Sequence, residues 1–124
     1  MKKILVVDDE QDMRCLIKNA LTRDKFSVIT ASSGEEAVVL AKTDKPHLIL
    51  LDICMPGMDG YVTCEKLKKD PKTKNIPVLF LTAKDLEEKG IIERCENLDA
   101  LGYVSKISPF KELAEKVRKV LFRS

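Results

Sequence analysis

Five short apolar runs rich in β-branched residues alternate along this chain with longer amphipathic stretches. The runs are Lys3–Val7, Phe26–Thr30, His47–Leu51, Pro77–Leu81 and Leu101–Ser105. Because the first, third and fourth runs lack polar alternation, they are predicted to be buried on both faces, as parallel strands between helices are. Alternation of this kind predicts an α/β domain with a parallel sheet and right-handed crossovers.

Apolar residues at helical spacing predict the intervening helices. One stripe comprises Met13, Leu16, Ile17, Ala20 and Leu21, and a similar stripe near the C-terminus comprises Phe110, Leu113, Val117, Val120 and Leu121. Ala37, Leu40 and Ala41 mark a shorter helix, which Ser33 and Glu36 are predicted to begin as a capping box. Two further helices are predicted over residues 62–69 and 86–98.

Length and composition limit the class of protein. The 124 residues are predicted to form one domain, 1–124, without a linker or a repeat. The apolar runs are too short for a membrane span or a secretory signal, so we expect a cytoplasmic protein without membrane association. The 22 basic and 20 acidic residues nearly balance and only six residues are aromatic, which argues against direct DNA binding.

The four cysteines indicate thiols in a reducing compartment. Cys15, Cys54, Cys64 and Cys95 form no CxxC pair, and the one histidine, His47, has no partner at zinc-ligand spacing. A structural zinc site is therefore not expected.

Polar side chains follow four of the five predicted strands. They are Asp8-Asp9-Glu10 after the first strand, Asp52 after the third, Thr82 after the fourth and Lys106 after the fifth. Ligands of open α/β sheets bind at the carboxyl ends of the strands, so these side chains are expected to share one pocket. Taken singly, each is better explained as a turn residue on a solvated rim, because strand ends are commonly polar.

The set as a whole favours phosphoryl chemistry. Carboxylates so close together repel each other unless a cation intervenes, and oxygen ligands suit Mg²⁺. A carboxylate, a divalent ion, a hydroxyl and an ammonium are what phosphoryl transfer to an aspartate requires.

Four motifs, in this order, resemble the receiver domain of two-component response regulators. They are Val6–Glu10, Leu50–Gly60, Leu81–Lys84 and Tyr103–Lys106. The resemblance extends over essentially the whole chain. It implies a flavodoxin-like, CheY-like fold: a doubly wound five-stranded parallel sheet of strand order 2-1-3-4-5 with five helices on both faces. This agrees with the alternation of strands and helices.

The resemblance also implies roles for the acidic residues. Asp52 would be the phosphoacceptor that attacks a phosphohistidine of a partner. Asp9 and Asp52, with the backbone carbonyl of Cys54, would bind Mg²⁺, which Mn²⁺ can replace. Asp8 would hold a metal-bound water or tune the pocket.

Three further residues would carry the response to phosphorylation. Lys106 would pair first with the Asp52 carboxylate and then with a phosphoryl oxygen, and the Thr82 hydroxyl would swing onto the phosphoryl group. Tyr103 would be the coupled aromatic switch. The output face is expected at helix four, strand five and helix five.

The resulting hypothesis is a Mg²⁺-dependent phosphoacceptor switch that catalyses only its own phosphorylation and dephosphorylation. Its expected partners are a sensor histidine kinase or a histidine phosphotransfer protein, and a downstream protein target. Because only a last helix follows Lys106, we expect a freestanding domain, although a piece of a larger regulator would have the same sequence. The domain is expected to be a monomer.

Three alternatives remain. An aspartyl-nucleophile phosphatase would need Asp-x-Asp, where this chain has Asp8-Asp9-Glu10. A phosphorylation-independent module would have lost one of Asp9, Asp52, Thr82 and Lys106. A flavodoxin would need a phosphate loop rich in Ser, Thr and Gly after the first strand.

Several residues are given plainer predictions. Glu10 is expected to be an exposed acid at a helix start, His47 is expected to lie far from the pocket, and residues 66–70 are expected to form a solvated helix end. Ile107 follows Lys106 where the family usually has proline, so we predict a trans Lys106–Ile107 peptide. The last helix would then restart with Ser108 as N-cap and Pro109 at its first position. The interval from Thr82 to Lys106 is about two residues longer than is common, which predicts a rearranged fourth helix.

Overall fold

Five parallel strands form one sheet in the computed structural model, which describes residues 1–83, 88–106 and 109–122. The elements in chain order are β1 (Lys3–Val7), α1 (Gln11–Arg23), β2 (Ser27–Ala31), α2 (Gly34–Asp44), β3 (Leu48–Asp52), α3 (Gly60–Lys69), β4 (Val78–Thr82), α4 (Glu88–Asn97), β5 (Gly102–Ser105) and α5 (Phe110–Leu121). The strand order is β2-β1-β3-β4-β5, which confirms the predicted fold class. The winding direction therefore changes between β1 and β3.

Successive side chains of a strand point to opposite faces of the sheet, and helices bury both faces. On one face, Leu5 and Val7 of β1 pack with apolar residues of α2, α3 and α4. On the other face, Ile4 and Val6 pack with apolar residues of α1 and α5. Every residue of β3 and β4 is buried, which explains the absence of polar alternation in their sequences.

Three strands, β2, β3 and β4, end one residue later than predicted. The ladder pairs Asp52 with Leu81 and Thr82 with Ser105, so Asp52 and Thr82 are the last residues of β3 and β4. The prediction that these residues follow their strands is wrong by one position. Because their backbones belong to the ladder, both side chains project from fixed positions.

Side chains cap the N-termini of two helices, α2 and α3. Ser33 Oγ accepts a hydrogen bond from the Glu36 amide at 3.2 Å, which confirms the predicted cap of α2. Glu36 reaches back to the amide of Ser32, one residue before the cap position of the predicted box. Asp59 caps α3 by accepting from the Val62 amide at 2.9 Å.

The start of α5 corrects one prediction. Pro109 has an extended conformation, with φ −52° and ψ 137°, and its carbonyl accepts from the amide of Glu112. It is therefore the N-cap of the helix and Phe110 is the first helical residue, one position later than predicted. The Lys106–Ile107 peptide, Ser108 and Lys84 lie outside the described residues, as does the predicted start of α4 at residue 86.

Candidate functional site

The loop after β1 holds a fully buried carboxylate. Asp8 is 0% exposed, and its amide continues the sheet by donating to the Ala31 carbonyl. Its Oδ1 accepts from the Glu10 amide at 2.9 Å, and its carbonyl accepts from Arg14 Nη1 at 2.7 Å. Asp8 is therefore held from both its backbone and its side chain, whereas the neighbouring Asp9 is exposed.

Asp52 lies at the end of β3 and is 2% exposed. Its Oδ1 accepts from the Cys54 amide at 3.3 Å. The first residue of α3, Gly60, packs against the Asp52 backbone so closely that an added Cβ would lie 2.2 Å from the Asp52 carbonyl oxygen. A residue without a side chain is thus required at position 60 to let α3 approach the strand end.

Lys106 brings a positive charge to these acids. Its amide donates to the Thr82 carbonyl at 2.9 Å, which fixes the start of its side chain at the sheet edge. Its Nζ lies 3.1 Å from Asp8 Oδ2 and 3.2 Å from Asp52 Oδ2, and the side chain is only 10% exposed. The structure therefore joins residues from three different strand ends in one buried ion cluster.

The cluster has more negative than positive charge. The pKa of Asp52 is raised from 3.8 to about 6, first by burial and then by the charge of Asp8, while Lys106 and the Cys54 amide lower it. Burial alone would lower the pKa of Lys106, but its contacts with Asp8 and Asp52 raise it above the ordinary value. Lys106 is therefore protonated. The ionised form of Asp52 is destabilised because the negative charge of the cluster is only partly compensated.

Two buried oxygens mark where a further cation fits. Asp8 Oδ2 and Asp52 Oδ2 lie within ion-pair distance of Lys106, yet neither accepts a hydrogen bond of acceptable geometry from the described residues. One oxygen each of Asp8, Asp9 and Asp52 lies within 4.8 Å of the others. Since Mg²⁺ prefers oxygen ligands and retains several waters, this acidic pocket could hold it. The role of the Cys54 carbonyl stays a prediction.

Two of the expected switch residues lie beside the cluster rather than in it. Thr82 is 4% exposed and ends β4, the strand between β3 and β5. Tyr103 lies on β5 opposite Phe80, and its hydroxyl donates to the Glu88 carboxylate of α4. This hydrogen bond raises the pKa of Tyr103. The Tyr103 hydroxyl therefore contacts α4, and its role as a switch stays a prediction.

The sequence groups Glu10 with the strand-end residues but gives it no role at the site. It is predicted to be an exposed acid at a helix start, and its side chain is 67% exposed. Its Oε1 also lies 3.6 Å from Lys106 Nζ. The signal available in the sequence was its position directly after two acids that both belong to the predicted pocket.

Other predicted residues lie away from the site. His47 is exposed before β3, where its Nδ1 accepts from the Lys3 amide at the opposite edge of the sheet. The four cysteines, all within the described residues, form no disulfide. Among the described helices, none has the length and apolar character needed to cross a membrane.

Comparison with known proteins gives consistent matches. A family profile described as the response regulator receiver domain matches residues 4–118. The chain is 42% identical over 123 residues to the alkaline phosphatase synthesis transcriptional regulatory protein PhoP of Bacillus subtilis, covering 99% of this chain and 50% of that protein. It is 48% identical over 83 residues to the response regulator PleD of Caulobacter vibrioides, covering 67% of this chain and 18% of that protein.

The solved structures agree with the curated relatives. The chemotaxis protein CheY4 of Vibrio cholerae superposes with a TM-score of 0.90 at 26% identity, covering 98% of this chain and 99% of that one. The chain spans about half the length of several curated relatives that it matches.

Proposed function

Because the chain belongs to the family of response regulator receiver domains of two-component systems, we propose that Asp52 is the phosphoacceptor of a signalling switch. The donor would be a phosphohistidine on a histidine kinase or a histidine phosphotransfer protein. The observation that carries this proposal is the ion cluster itself. Asp52 is buried, its Oδ2 accepts no hydrogen bond from the described residues, and a lysine lies 3.2 Å away.

The proposed transfer needs a charged nucleophile. With a pKa of about 6, Asp52 is mostly ionised above neutral pH although it is buried. Its carboxylate oxygen forms a bond to phosphorus while the phosphorus–nitrogen bond of the donor breaks, and the imidazole leaves with the electron pair. The negative charge of the Asp52 carboxylate is thereby replaced by that of the phosphoryl oxygens.

Lys106 can follow this movement of charge. In the resting state its ammonium lies against Asp8 and Asp52. After transfer, the phosphoryl oxygens are the stronger acceptors near Asp52, so the ammonium would turn toward them. A pre-placed cation of this kind stabilises developing charge without reorganisation during the reaction.

The acidic pocket would also bind Mg²⁺, for which Mn²⁺ can substitute. Asp9, Asp52 and the Cys54 carbonyl would be its protein ligands, and Asp8 would hold one of its waters. When bound, the ion supplies positive charge to the phosphoryl oxygens. The orphaned oxygens of Asp8 and Asp52 support this assignment because a cation there compensates buried negative charge.

The response would reach α4 through β4 and β5. The Thr82 hydroxyl would turn toward the phosphoryl group, and Tyr103 would follow. Since the Tyr103 hydroxyl already donates to Glu88, its movement would change a contact with α4 directly. The face formed by α4, β5 and α5 would then bind a downstream protein in a phosphorylation-dependent manner.

Two alternatives are less well supported. A phosphorylation-independent module would not need the costly burial of two carboxylates around a lysine. A phosphatase with an aspartyl nucleophile after β1 would need an Asp-x-Asp spacing, which Asp8-Asp9-Glu10 does not provide. We propose that residues 1–124 form a single domain that acts in the cytoplasm. It would catalyse only its own phosphorylation and dephosphorylation.

The proposal is tested by incubating the protein with phosphoramidate and Mg²⁺ and measuring its intact mass. The expected result is one added phosphoryl group in the native chain and none in Asp52→Asn. Equal labelling of the two proteins would contradict the proposal. If phosphorylation shifts the amide signals of the pocket but leaves those of α4 unchanged, the proposed output coupling is wrong.

A further inference from the structure

Three carboxylates share the ammonium of Lys106, and one of them faces solvent. Asp8 and Asp52 are buried and lie 3.1 and 3.2 Å from Nζ. Glu10 lies 3.6 Å from the same atom with 67% of its side chain exposed. The exposed member of the cluster therefore adds negative charge beside the cation that the proposed reaction uses for a phosphoryl oxygen.

The backbone of Glu10 is fixed while its carboxylate remains available. Glu10 is the N-cap residue of α1, and its carbonyl accepts from the Arg14 amide at 3.1 Å. Its own amide donates to Asp8 Oδ1 at 2.9 Å. The side chain makes no capping hydrogen bond, unlike those of Ser33 and Asp59, which cap α2 and α3. Its carboxylate forms an ion pair with Lys106.

This arrangement opposes the approach of a small anionic donor. Glu10 repels a phosphoryl group near Lys106, and it competes with the phosphoryl oxygens for the ammonium. A protein donor can offset this repulsion with contacts remote from the reacting atoms. A small donor has no such contacts, so the full effect of the repulsion appears in its rate.

Building on the proposed phosphoacceptor function, we propose that Glu10 is a donor-selectivity residue. It lowers the rate at which small, doubly charged acyl phosphates phosphorylate Asp52, and so favours phosphohistidine on a partner protein. The balanced step with such a donor forms the bond from Asp52 oxygen to phosphorus. The bond from phosphorus to the acyl oxygen breaks, and the carboxylate leaves with the electron pair.

The test compares two small donors of different charge. Acetyl phosphate carries two negative charges near neutral pH, whereas phosphoramidate carries one because its nitrogen is protonated. Phosphorylation rates at saturating Mg²⁺ are measured by intact mass for the native chain, Glu10→Gln and Glu96→Gln. The last variant is the matched control, since it removes the same charge from an exposed residue near the far end of α4.

Glu10→Gln is expected to raise the phosphorylation rate with acetyl phosphate about two- to fivefold, and the rate with phosphoramidate less. The reason is that the variant removes Coulomb repulsion across a screened aqueous site. The difference should shrink toward about 1 M salt, where the screening length falls to about 3 Å. Glu96→Gln should match the native chain with both donors.

Other outcomes overturn the inference. Unchanged rates, equal acceleration of both donors, or an effect that persists at high salt would mean that the charge of Glu10 does not select donors. Slower reaction with both donors would mean that Glu10 instead supports Lys106. If the native chain accepts no phosphoryl group from either donor, the proposed function itself fails, and this inference with it.

Discussion

Lys106 Nζ lies 3.2 Å from Asp52 Oδ2, although the two residues come from strands that are not neighbours. Lys106 follows β5 and Asp52 ends β3, so the lysine side chain reaches across the end of β4. The hydrogen bond from the Lys106 amide to the Thr82 carbonyl fixes the backbone from which that side chain extends. The pair is thus determined by strand order and not by proximity along the chain.

Replacing Lys106 with methionine should impair both stability and reaction. The aliphatic volume is largely kept, but the buried carboxylates of Asp8 and Asp52 lose their compensating charge. We expect a loss of roughly 3–5 kcal/mol in the free energy of unfolding near neutral pH without metal. Phosphorylation should slow about 10²–10³-fold, the cost of losing one pre-placed electrostatic group.

Denaturant unfolding and intact-mass kinetics measure these two effects. Lys116→Met is the control, because Lys116 is an exposed residue of α5 and should give native values for both. An Lys106→Met protein that retains native stability and rate would show that the cluster does not depend on this charge.

The stability contributed by position 52 should depend on pH. The pKa of Asp52 is about 6 in the folded protein and near 3.8 in the unfolded chain, so the folded state holds the proton more tightly. Ionisation of Asp52 therefore opposes folding above pH 6, and this cost disappears as the pH falls below about 4.

Asp52→Asn removes that cost. In metal-free buffer, the variant should match the native chain near pH 4 and become more stable between pH 4 and 6, by at most roughly 3 kcal/mol. The control, Asp70→Asn, should show the opposite sign, because hydrogen bonds from Lys72 and Lys42 lower the pKa of Asp70. If the difference in unfolding free energy between Asp52→Asn and the native chain did not change with pH, ionised Asp52 would not oppose folding.

Mg²⁺ should stabilise the native chain through the pocket formed by Asp8, Asp9 and Asp52. An ion at 100 times its dissociation constant adds about 2.7 kcal/mol to the free energy of unfolding. Asp9→Asn should lose most of this gain, whereas Glu96→Gln should retain it. Titration calorimetry or thermal unfolding measures the gain, and equal gains in the two variants would exclude Asp9 as a ligand.

Glycine is required at position 60 but not at position 90. An added Cβ at Gly60 would lie 2.2 Å from the Asp52 carbonyl oxygen, whereas nothing lies within 4 Å of one at Gly90. Gly60→Ala should therefore displace α3 from the end of β3, with a loss of about 1–3 kcal/mol and slower phosphorylation. Gly90→Ala, at the third residue of α4, should be neutral or gain up to about 0.5–1 kcal/mol.

Chemical denaturation separates these two glycines. A Gly60→Ala protein as stable as Gly90→Ala would show that the close approach of α3 is dispensable.

Much of the site was predictable because parallel strands end at one edge of a sheet. Asp8, Asp52 and Lys106 could be grouped from their positions after apolar runs, before any coordinates. The pairing of Glu10 with Lys106 could not be predicted in this way, because the direction of a long exposed side chain is not encoded by periodicity. The contact of Gly60 with Asp52 also escaped, since it depends on how closely α3 packs against β3.

The predicted ends of β3 and β4 and the predicted start of α5 are each wrong by one residue. Polar residues usually end apolar runs, which predicts Asp52 and Thr82 directly after their strands. The ladder continues through them, since backbone pairing with Leu81 and Ser105 does not depend on side-chain polarity. The positional preference of proline predicts Pro109 as the first residue of the last helix, but its extended ψ makes it the N-cap.

Locating the phosphoryl group tests the central claim most directly. The chain is phosphorylated with phosphoramidate and Mg²⁺, reduced with borohydride, which converts an aspartyl phosphate to homoserine, and mapped by peptide mass spectrometry. Homoserine is expected at position 52 alone, with none in Asp52→Asn. Modification of Asp8 or Asp9 instead, or a phosphoryl group that resists the reduction because it sits on a hydroxyl or histidine, would contradict it.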